Sequence, residues 1–379
     1  MPYIQSMKPR KILTIIGTRP EAIKMAPVIR ALRKQPDEFR VKILATAQHR
    51  EMLDQVLEVF RIEPDIDLNL MRANQSLGAL TSRALRGIGH CLEAERPDLV
   101  LIQGDTTTMM AAALASFYYR IPFAHVEAGL RTGNLYAPYP EELNRQIAGL
   151  IARFHFSPTR KAAENLLREG KDPETIVITG NTVIDALLLT ISRTKAPPLP
   201  FSDKIPYVLM TCHRRENFGQ PIREIFSAVR DFFTSHPDII LWYPVHPNPN
   251  VKQPAYDILS NLDNIYLTDP LDYPAFCHAM KRSRLILSDS GGVQEEAPAL
   301  GKPVLVLRDT TERPEGVEAG TCRLVGPHQN RIVSSLEELL FKPDVYSRMA
   351  EAVNPYGDGR AAERITAILA GDQVEEWKG

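Results

Sequence analysis

The feature that most constrains the fold is a repeated alternation of short apolar runs with longer segments of helical periodicity. The runs 12–16, 99–103 and 122–126 are largely apolar at consecutive positions, not at every second position. Strands that are buried on both faces have this pattern, and the helices between them cover a parallel sheet on its two sides. The first half of the chain is therefore predicted to be a doubly wound α/β domain.

A proline-rich stretch separates this half from a second one with the same alternation. Residues 195–206 read KAPPLPFSDKIP and lack periodicity, which predicts a linker. Strand-like runs resume at 207–211 and recur until 304–307. A length of 379 residues fits two domains of ordinary size. We therefore predict an N-terminal domain over 1–194 and a C-terminal domain over 207–358.

The composition excludes several classes of protein. Lysine and arginine total 45 and aspartate and glutamate total 46, so the net charge is −1. A protein that coats nucleic acid has a basic excess, so no nucleic-acid partner is expected. No apolar run approaches the ~20 residues of a membrane-spanning helix, and the N-terminal residues lack the apolar core of a secretory signal. A cytoplasmic protein without membrane association is predicted.

The four cysteines are predicted to be reduced core thiols. They are far apart in the sequence and form no C-x-x-C pair, so neither a zinc site nor a disulfide framework is indicated. Their positions are Cys91, Cys212, Cys277 and Cys322.

Charged residues follow the predicted strands of the first domain, where such folds bind ligands. Arg19 and Lys24 follow the first strand and fit either an anion site at a helix N-terminus or a helix cap with two solvated cations. Asp105 fits either a helix cap or an acid–base carboxylate. Glu127 directly follows a buried strand, where a carboxylate costs desolvation unless it is paired or reactive. Glu141 alone favours a structural role in a first helical turn, but the three carboxylates together favour catalysis.

Segments of the second domain suit a phosphate-bearing ligand. His213 and Arg214 follow a strand, and cationic side chains there favour phosphate binding. His246 follows the next strand between two prolines and fits a structural role as well as a binding role. The segment 289–296, DSGGVQEE, opens a helix with two glycines, which let backbone N–H groups approach phosphate oxygens closely. Glu296 lies one turn further, where its carboxylate could accept both hydroxyls of a ribose.

Together these segments resemble those of the bacterial non-hydrolysing UDP-N-acetylglucosamine 2-epimerases. The resemblance extends from about Lys11 to Arg364 and rests on motifs in the same order along the chain. The motifs are GTRPEAIKMAP (17–27), QHREMLD (48–54), QGDT (103–106), HVEAGLRTG (125–133), PEELNR (140–145), GNTVIDAL (180–187), HRREN (213–217), HPNP (246–249) and SDSGGVQEEAPALGKPVLVLRDTTERPE (288–315).

The resemblance implies a fold and a reaction. The fold is α/β, with two Rossmann-like doubly wound domains facing a cleft in a GT-B-like arrangement, and a C-terminal helix over about 359–379 that packs back on the first domain. The reaction is the reversible conversion of UDP-GlcNAc into UDP-ManNAc, by elimination of UDP to a bound 2-acetamidoglucal and re-addition. Neither a metal nor another cofactor is implied. The resemblance also implies a homodimer and a role in supplying ManNAc units for cell-surface polysaccharides.

The family's site residues transfer to matching positions of this chain. The implied catalytic residues are Asp105, Glu127, Glu141 and His213. The residues implied to bind UDP or the sugar are Arg19, Lys24, Asp105, Glu127, His213, Phe276, Ser290, Gly291, Gly292, Glu296 and Arg313. Which carboxylate is the base and which the acid stays open, since coupled carboxylates need not have single-residue assignments.

Two positions depart from the family's pattern. Leu271 stands where close relatives have Gln, which removes a side-chain contact with uracil. In some relatives a second UDP-GlcNAc binds and activates the enzyme, but Asn74 stands where those relatives carry Arg. The matching positions for that activating site include Gln48, Gln75, Arg214 and His246.

Three other functions fit parts of the sequence. A hydrolysing relative would release free ManNAc and UDP from the same intermediate on a similar scaffold. A glycosyltransferase would share the two-domain cleft, but it needs an acceptor and leaves the three carboxylates without a role. A non-catalytic nucleotide-sugar sensor would not need so many acidic residues in one cleft.

Overall fold

The computed structural model describes residues 9–46, 50–72 and 75–379, and the chain divides into two compact units. The first unit extends to Leu189 and also includes Gly357–Gly379. The second unit is Thr190–Tyr356. Each unit contains one parallel sheet.

In the first unit, helices alternate with the strands of a parallel sheet. The strands are β1 (Arg10–Ile16), β2 (Phe39–Ala45), β3 (Ile66–Asp67), β4 (Leu99–Gln103), β5 (Phe123–Val126), β6 (Phe154–Ser157) and β7 (Ile176–Ile178). The helices between and after them are α1 (Arg19–Arg33), α2 (Arg50–Phe60), α3 (Leu77–Glu95), α4 (Thr107–Tyr118), α5 (Glu141–Ile151), α6 (Arg160–Arg168) and α7 (Thr182–Arg193). The order β3-β2-β1-β4-β5-β6-β7 places the topological switch point between β1 and β4.

The second unit repeats this plan. Its strands are β8 (Tyr207–Thr211), β9 (Ile240–Pro244), β10 (Ile265–Thr268), β11 (Leu285–Ser288), β12 (Val304–Val306) and β13 (Cys322–Leu324). Its helices are α8 (Gln220–Ser235), α9 (Pro249–Leu259), α10 (Tyr273–Arg282), α11 (Gly291–Glu296), α12 (Pro314–Glu318), α13 (Gln329–Phe341) and α14 (Pro343–Ala350). The order β10-β9-β8-β11-β12-β13 places the switch point between β8 and β11.

Burial on both faces explains why the central strands are mostly apolar at consecutive positions. Ile12, Ile15 and Ile16 of β1 are at most 1% exposed, although successive side chains point to opposite faces. In the second unit Phe226 and Val229 of α8 are fully buried in the same core as the central strands. The predicted fold class, two doubly wound Rossmann-like domains, is confirmed.

The proline-rich stretch 195–206, predicted to be a linker, lies within the second unit. Its Phe201 contacts the rings of Tyr207, Trp242 and Tyr266, with centroid distances of 5.1, 5.9 and 4.9 Å. These aromatic contacts attach the stretch to the sheet of that unit. The division between the units falls earlier, at Leu189, inside α7.

The C-terminal helix α15 (Ala361–Ala370) belongs to the first unit, where it packs against α1. The buried Asp185 of α7 accepts hydrogen bonds from the backbone N–H groups of Ala361 and Ala362, at 3.2 and 2.8 Å. A carboxylate at a helix N-terminus satisfies amides that have no partner within the helix. Burial raises the pKa of Asp185 to about 7 despite these bonds.

Two expectations from composition can be compared with this fold. Among the described residues no helix is both long enough and apolar enough to cross a membrane. All four cysteines are buried and unpaired, as predicted for core thiols.

Candidate active site

The two switch points bring predicted site segments to the carboxyl ends of neighbouring strands. In the first unit β1, β4 and β5 are consecutive in the sheet, and they are followed by Gly17, Gly104 and Glu127. In the second unit β8 and β11 pair directly, and they are followed by Cys212 and Asp289. Doubly wound folds bind their ligands at such strand ends.

Glu127 is a buried carboxylate that is held by a cation. Its side chain is 5% exposed, and its φ of 66° turns the chain sharply as β5 ends. Lys24 Nζ lies 2.7 Å from each carboxylate oxygen. The amides of Gln103 and Asn181 donate to the same group. The cost of burying this carboxylate is thus offset by an ion pair and hydrogen bonds.

Asp105 is held in the same way from α5. Arg145 donates from Nε and Nη2 to Asp105 Oδ2, at 3.0 and 2.6 Å, and Asn144 donates to the Asp105 carbonyl at 2.8 Å. Gln103 of β4 is the register partner of Val126 of β5, so Asp105 and Glu127 follow paired strands. Two carboxylates, each held by a cation, therefore lie at one edge of the sheet.

Glu141 and Glu142 begin α5 but differ in their surroundings. Glu141 is half-buried, and its carboxylate has no hydrogen bond or ion pair with the described residues. Glu142 is fully buried and accepts from the backbone N–H groups of Thr132 and Gly133 and from Arg145. Burial raises the pKa of Glu142, but these hydrogen bonds and the Arg145 charge outweigh it and leave the pKa below its usual value. Glu142 thus anchors the 132–133 loop, and Glu141 remains available to a ligand.

Glu21 connects the loop after β1 with the loop after β4. Its Oε2 accepts from Gly17 N, Thr18 N and Thr18 Oγ1 at 2.8, 2.7 and 3.1 Å, and its Oε1 accepts from Thr106 Oγ1 at 2.5 Å. Thr106 is the residue after Asp105 and caps α4. Burial raises the pKa of Glu21 to about 7 in spite of the hydrogen bonds. This carboxylate therefore fixes the spacing of two loops that carry predicted site residues.

His125 supports the turn before Asp105. Its Nε2 lies 2.7 Å from the carbonyl of Gly104, a residue with φ of 90°. His155 is its register partner on β6. Burial lowers the pKa of His125 to about 4 and that of His155 to about 3, so both rings are neutral near pH 7. A neutral His125 has one N–H, and its contact with a carbonyl assigns that proton to Nε2.

Asp289 organises the loop that carries His213 and Arg214. Its carboxylate is fully buried, and its Oδ2 accepts from His213 N, Arg214 N and Asn217 Nδ2 at 2.9, 2.8 and 3.0 Å. The His213 ring stacks on His246, with centroids 5.4 Å apart and an interplanar angle of 16°. Burial lowers the pKa of His213, with further lowering by His246 and Arg214, whereas Asp289 opposes the shift.

The two glycines that begin α11 are not required by contacts within the protein. A Cβ at Gly291 would meet only Arg214 Nη2, at 3.6 Å, and a Cβ at Gly292 would meet Glu296 Oε2 and Ser290 Oγ at 3.8 and 3.9 Å. These are ordinary van der Waals distances. By contrast, Gly129 has φ of 90°, and a Cβ there would lie 2.2 Å from a backbone oxygen. The glycines of α11 therefore leave the first amides of this helix without a neighbouring Cβ.

Other predicted residues of the second unit surround α11. Glu296 is 7% exposed and accepts from Tyr273 Oη at 3.1 Å. Phe276 lies half-buried on the same helix as Tyr273. Arg313, predicted to bind UDP, pairs through Nε with the buried Glu295. Tyr273 and Arg313 thus contact the last two residues of α11, and Phe276 lies on the helix that carries Tyr273.

Comparisons with known proteins identify the family of this chain. The family model for UDP-N-acetylglucosamine 2-epimerase matches residues 30–370. An Escherichia coli O157:H7 protein named UDP-N-acetylglucosamine 2-epimerase is 53% identical over 374 residues, which cover 96% of this chain and 99% of the relative. The chain belongs to the UDP-N-acetylglucosamine 2-epimerase family. The enzyme class predicted from the resemblance, an epimerase of the non-hydrolysing type, is confirmed.

Solved structures of epimerase homologues cover nearly the whole chain. A Listeria monocytogenes homologue superposes with a TM-score of 0.91 at 50% identity, covering 97% of this chain and 100% of that one. A UDP-GlcNAc 2-epimerase from Neisseria meningitidis, crystallised with UDP-GlcNAc, has a TM-score of 0.86 at 47% identity, covering 96% of this chain and 100% of that one.

The positions matched to an activating site in some epimerases are described only in part. Gln48 lies outside the described residues. Gln75 accepts a hydrogen bond from Arg83 in the first unit. In the second unit, Arg214 lies over Gly291 and His246 is exposed beside His213.

Sequence reasoning missed the residues that hold the predicted site residues of this epimerase. Glu21 could have been found from the capping-box pattern T-x-x-E, which begins at Thr18. Asp289 and Arg145 lie inside recognised motifs, but the sequence gives no sign of their partners, because those partners come from distant segments. The contact of Gln103 with Glu127 was missed for the same reason, since only strand pairing places the two residues side by side.

Proposed function

We propose that this chain interconverts UDP-GlcNAc and UDP-ManNAc at C2 of the sugar, with elimination of UDP and its re-addition. The observation that carries the proposal is the pair of carboxylates Asp105 and Glu127 after paired strands, each held by a cation. Moving a proton from one face of C2 to the other needs acid–base groups around that carbon. Carboxylates on rigid strand ends supply them in fixed positions.

The C2 proton is weakly acidic, so cleavage of the C1–O bond must accompany its removal. UDP leaves with developing negative charge, and the products held on the enzyme are UDP and 2-acetamidoglucal. A proton then returns to the opposite face of C2, and UDP adds again to C1. Asp105, Glu127 and Glu141 are the candidate acids and bases. His213 is the candidate cation for the leaving diphosphate.

The groups around α11 suit the nucleotide. Ser290, Gly291 and Gly292 offer backbone N–H groups at a helix start, and a carboxylate at Glu296 suits a ribose. Phe276 lies on the neighbouring α10 for the base, with Arg19 and Arg313 as further cations. The Neisseria homologue crystallised with UDP-GlcNAc supports a nucleotide sugar as the ligand of this chain.

The decisive experiment is incubation with UDP-GlcNAc in deuterium oxide, followed by NMR. The proposal expects UDP-ManNAc to accumulate with deuterium at C2, without an acceptor and with little free UDP. Steady release of UDP and ManNAc would indicate the hydrolysing reaction instead. Absence of deuterium at C2 without an acceptor would favour a glycosyltransferase, and absence of any turnover would favour a sensor.

Variants test the carboxylates separately. Asp105→Asn, Glu127→Gln and Glu141→Gln should each lose most turnover while UDP binding, measured by calorimetry, is retained. Glu338→Gln is the control, because Glu338 pairs with Arg323, both side chains are more than a third exposed, and neither is a predicted site residue. Near-native turnover in any of the three site variants removes that residue from the mechanism.

A homodimer completes the proposal, and an exposed apolar face supports it. The packed helices α4 and α5 expose Phe117, Tyr118 and Leu150 by 64, 63 and 76%. Adjacent exposed apolar side chains of this size mark interaction surfaces. Light scattering should give twice the chain mass of 42.5 kDa, and Leu150→Glu should reduce it, unlike Leu167→Glu on α6. A monomeric wild-type protein would refute the dimer without affecting the chemistry.

The remaining parts of the proposal concern regulation and place. Activation by a second UDP-GlcNAc at Gln48, Gln75, Arg214 and His246 would give sigmoidal initial rates from UDP-GlcNAc, and hyperbolic rates in both directions would refute it. We also propose that the reaction takes place in the cytoplasm and supplies ManNAc units for cell-surface polysaccharides. Cell fractionation and sugar analysis of a deletion strain test these two points.

A further inference from the structure

The buried carboxylate of Asp289 lies beside Nδ1 of the His213 ring. His213 Nδ1 lies 3.6 Å from Asp289 Oδ1, while Asp289 Oδ2 accepts from His213 N at 2.9 Å. The carboxylate is fully buried and the His213 side chain is 36% exposed. The backbone and the ring of one residue are therefore both oriented by a single carboxylate.

We propose that Asp289 is a positioning residue for the reaction: it directs the proton of His213 Nδ1 inward and stabilises the imidazolium, so that Nε2–H faces the leaving diphosphate. This inference rests on the proposed role of His213 as a cation in UDP elimination. A buried carboxylate beside an imidazole favours its protonated form. At 3.6 Å the two atoms are within ion-pair distance but outside hydrogen-bond distance, so the proposed Nδ1–H···Oδ1 bond requires the ring to move closer to the carboxylate.

The two carboxylate oxygens of Asp289 make different contacts, and this difference makes the proposal testable. Oδ2 accepts from His213 N, Arg214 N and Asn217 Nδ2, so it carries the loop. Oδ1 faces the ring and lies 3.1 Å from His213 N, further than Oδ2 does. In Asp289→Asn the amide oxygen can replace Oδ2 and keep the loop in place. The amide nitrogen then replaces Oδ1 and donates to Nδ1, which favours a neutral ring with its proton on Nε2.

The other groups that face His213 do not stabilise its protonated form. His246, stacked on the ring, and Arg214, next in the chain, both lower its pKa. Of these three groups, only Asp289 raises the pKa of His213. Loss of the Asp289 charge should therefore lower the pKa of His213 further, and the imidazolium should deprotonate at lower pH.

The test compares Asp289→Asn with Asp309→Asn in the full chain. Asp309 Oδ1 lies 2.8 Å from His328 Nε2, and both side chains are exposed, which makes this pair a matched control. Long-range ¹H–¹⁵N NMR with UDP bound should show Nδ1–H on His213 in the wild type and its loss in Asp289→Asn. The descending alkaline limb of kcat should move to lower pH by about one unit or more. At neutral pH kcat should fall on the order of 100-fold, with KM changing much less.

The outcomes separate the two proposals. If His213→Asn retains full turnover and the same pH profile, the proposed role of His213 fails whatever Asp289 does. If His213→Asn loses turnover, and adding Asp289→Asn causes no further loss, Asp289 acts through His213. If Asp289→Asn folds, as judged by thermal unfolding, but neither the tautomer nor the alkaline limb changes, Asp289 is only a loop anchor and the positioning role is overturned.

Discussion

Replacement of Gly292 by alanine should stabilise the protein and weaken UDP binding at the same time. Gly292 is an exposed residue in the first turn of α11, and its φ is not in the left-handed region. The nearest atoms that a Cβ would meet are Glu296 Oε2 at 3.8 Å and Ser290 Oγ at 3.9 Å. The folded chain therefore has room for the methyl group.

The stability gain follows from helix propensity. Glycine in a helix costs about 0.5–1 kcal/mol relative to alanine, because the unfolded chain loses more freedom. For a domain of 150–250 residues, 1 kcal/mol corresponds to about 2–4 °C in Tm. The second unit, Thr190–Tyr356, is in this size range. Gly292→Ala should thus raise Tm by about 1–4 °C.

The loss of affinity follows from the position of the methyl group beside the amides that would face the diphosphate. Displacing the phosphate from one such hydrogen bond, which is charge-assisted, costs about 1.5–3 kcal/mol. That corresponds to a Kd for UDP that is about 10- to 150-fold higher. Gly291→Ala should behave similarly, although Arg214 Nη2 lies 3.6 Å from its Cβ.

The assay is differential scanning calorimetry with and without UDP, followed by titration calorimetry. Saturating UDP should raise Tm less in Gly292→Ala than in the wild type, because ligand stabilisation depends on Kd. Gly78→Ala is the control, since a Cβ there would have no neighbour within 4 Å in the exposed first turn of α3. If Gly292→Ala binds UDP as tightly as the wild type does, the inference of a close ligand approach is wrong.

Three further predictions concern residues that hold the site loops or the C-terminal helix. Glu21 has a pKa of about 7 instead of 4.5. Its contribution to the free energy of unfolding is therefore fully present below pH 4.5, and about 3 kcal/mol of it is lost as the pH rises through 7. Urea unfolding of Glu21→Gln should show a flatter pH dependence. Arg145→Met should lower kcat about 10-fold or more by releasing Asp105, whereas Arg153→Met should not. Asp185→Ala should cost about 1–2 kcal/mol and speed hydrogen exchange in Ala361–Ala370.

The parallel strands were predictable because burial on both faces leaves a direct pattern in the sequence. The runs 12–16, 99–103 and 207–211 correspond to β1, β4 and β8 within two residues. The short edge strands β3 and β13 were not predicted. β3 has only two residues, and β13 reads Cys-Arg-Leu with a charged residue at its centre, so neither forms a continuous apolar run.

The site was predictable as far as residue types at strand ends, and no further. Asp105, Glu127 and His213 were identified because each follows a buried strand, where a charged group needs a reason. Their pairings were not identified, although Lys24 was itself a candidate site residue, because Lys24, Arg145 and Asp289 lie 103, 40 and 76 residues away along the chain. Contacts over such separations are set by the order of strands in the sheet, which a single sequence does not specify.

The pairing of charges changes how the near-zero net charge is understood. The sequence suggested cations gathered for a diphosphate and carboxylates gathered for a proton. In the structure Lys24 contacts both oxygens of Glu127, and Arg313 contacts Glu295. An opposite charge at this distance favours the ionised form of a carboxylate, which is the form that accepts a proton. We therefore propose that Lys24 acts on the chemistry at C2 through Glu127, and any contact that it makes with UDP must share the ammonium group with this carboxylate.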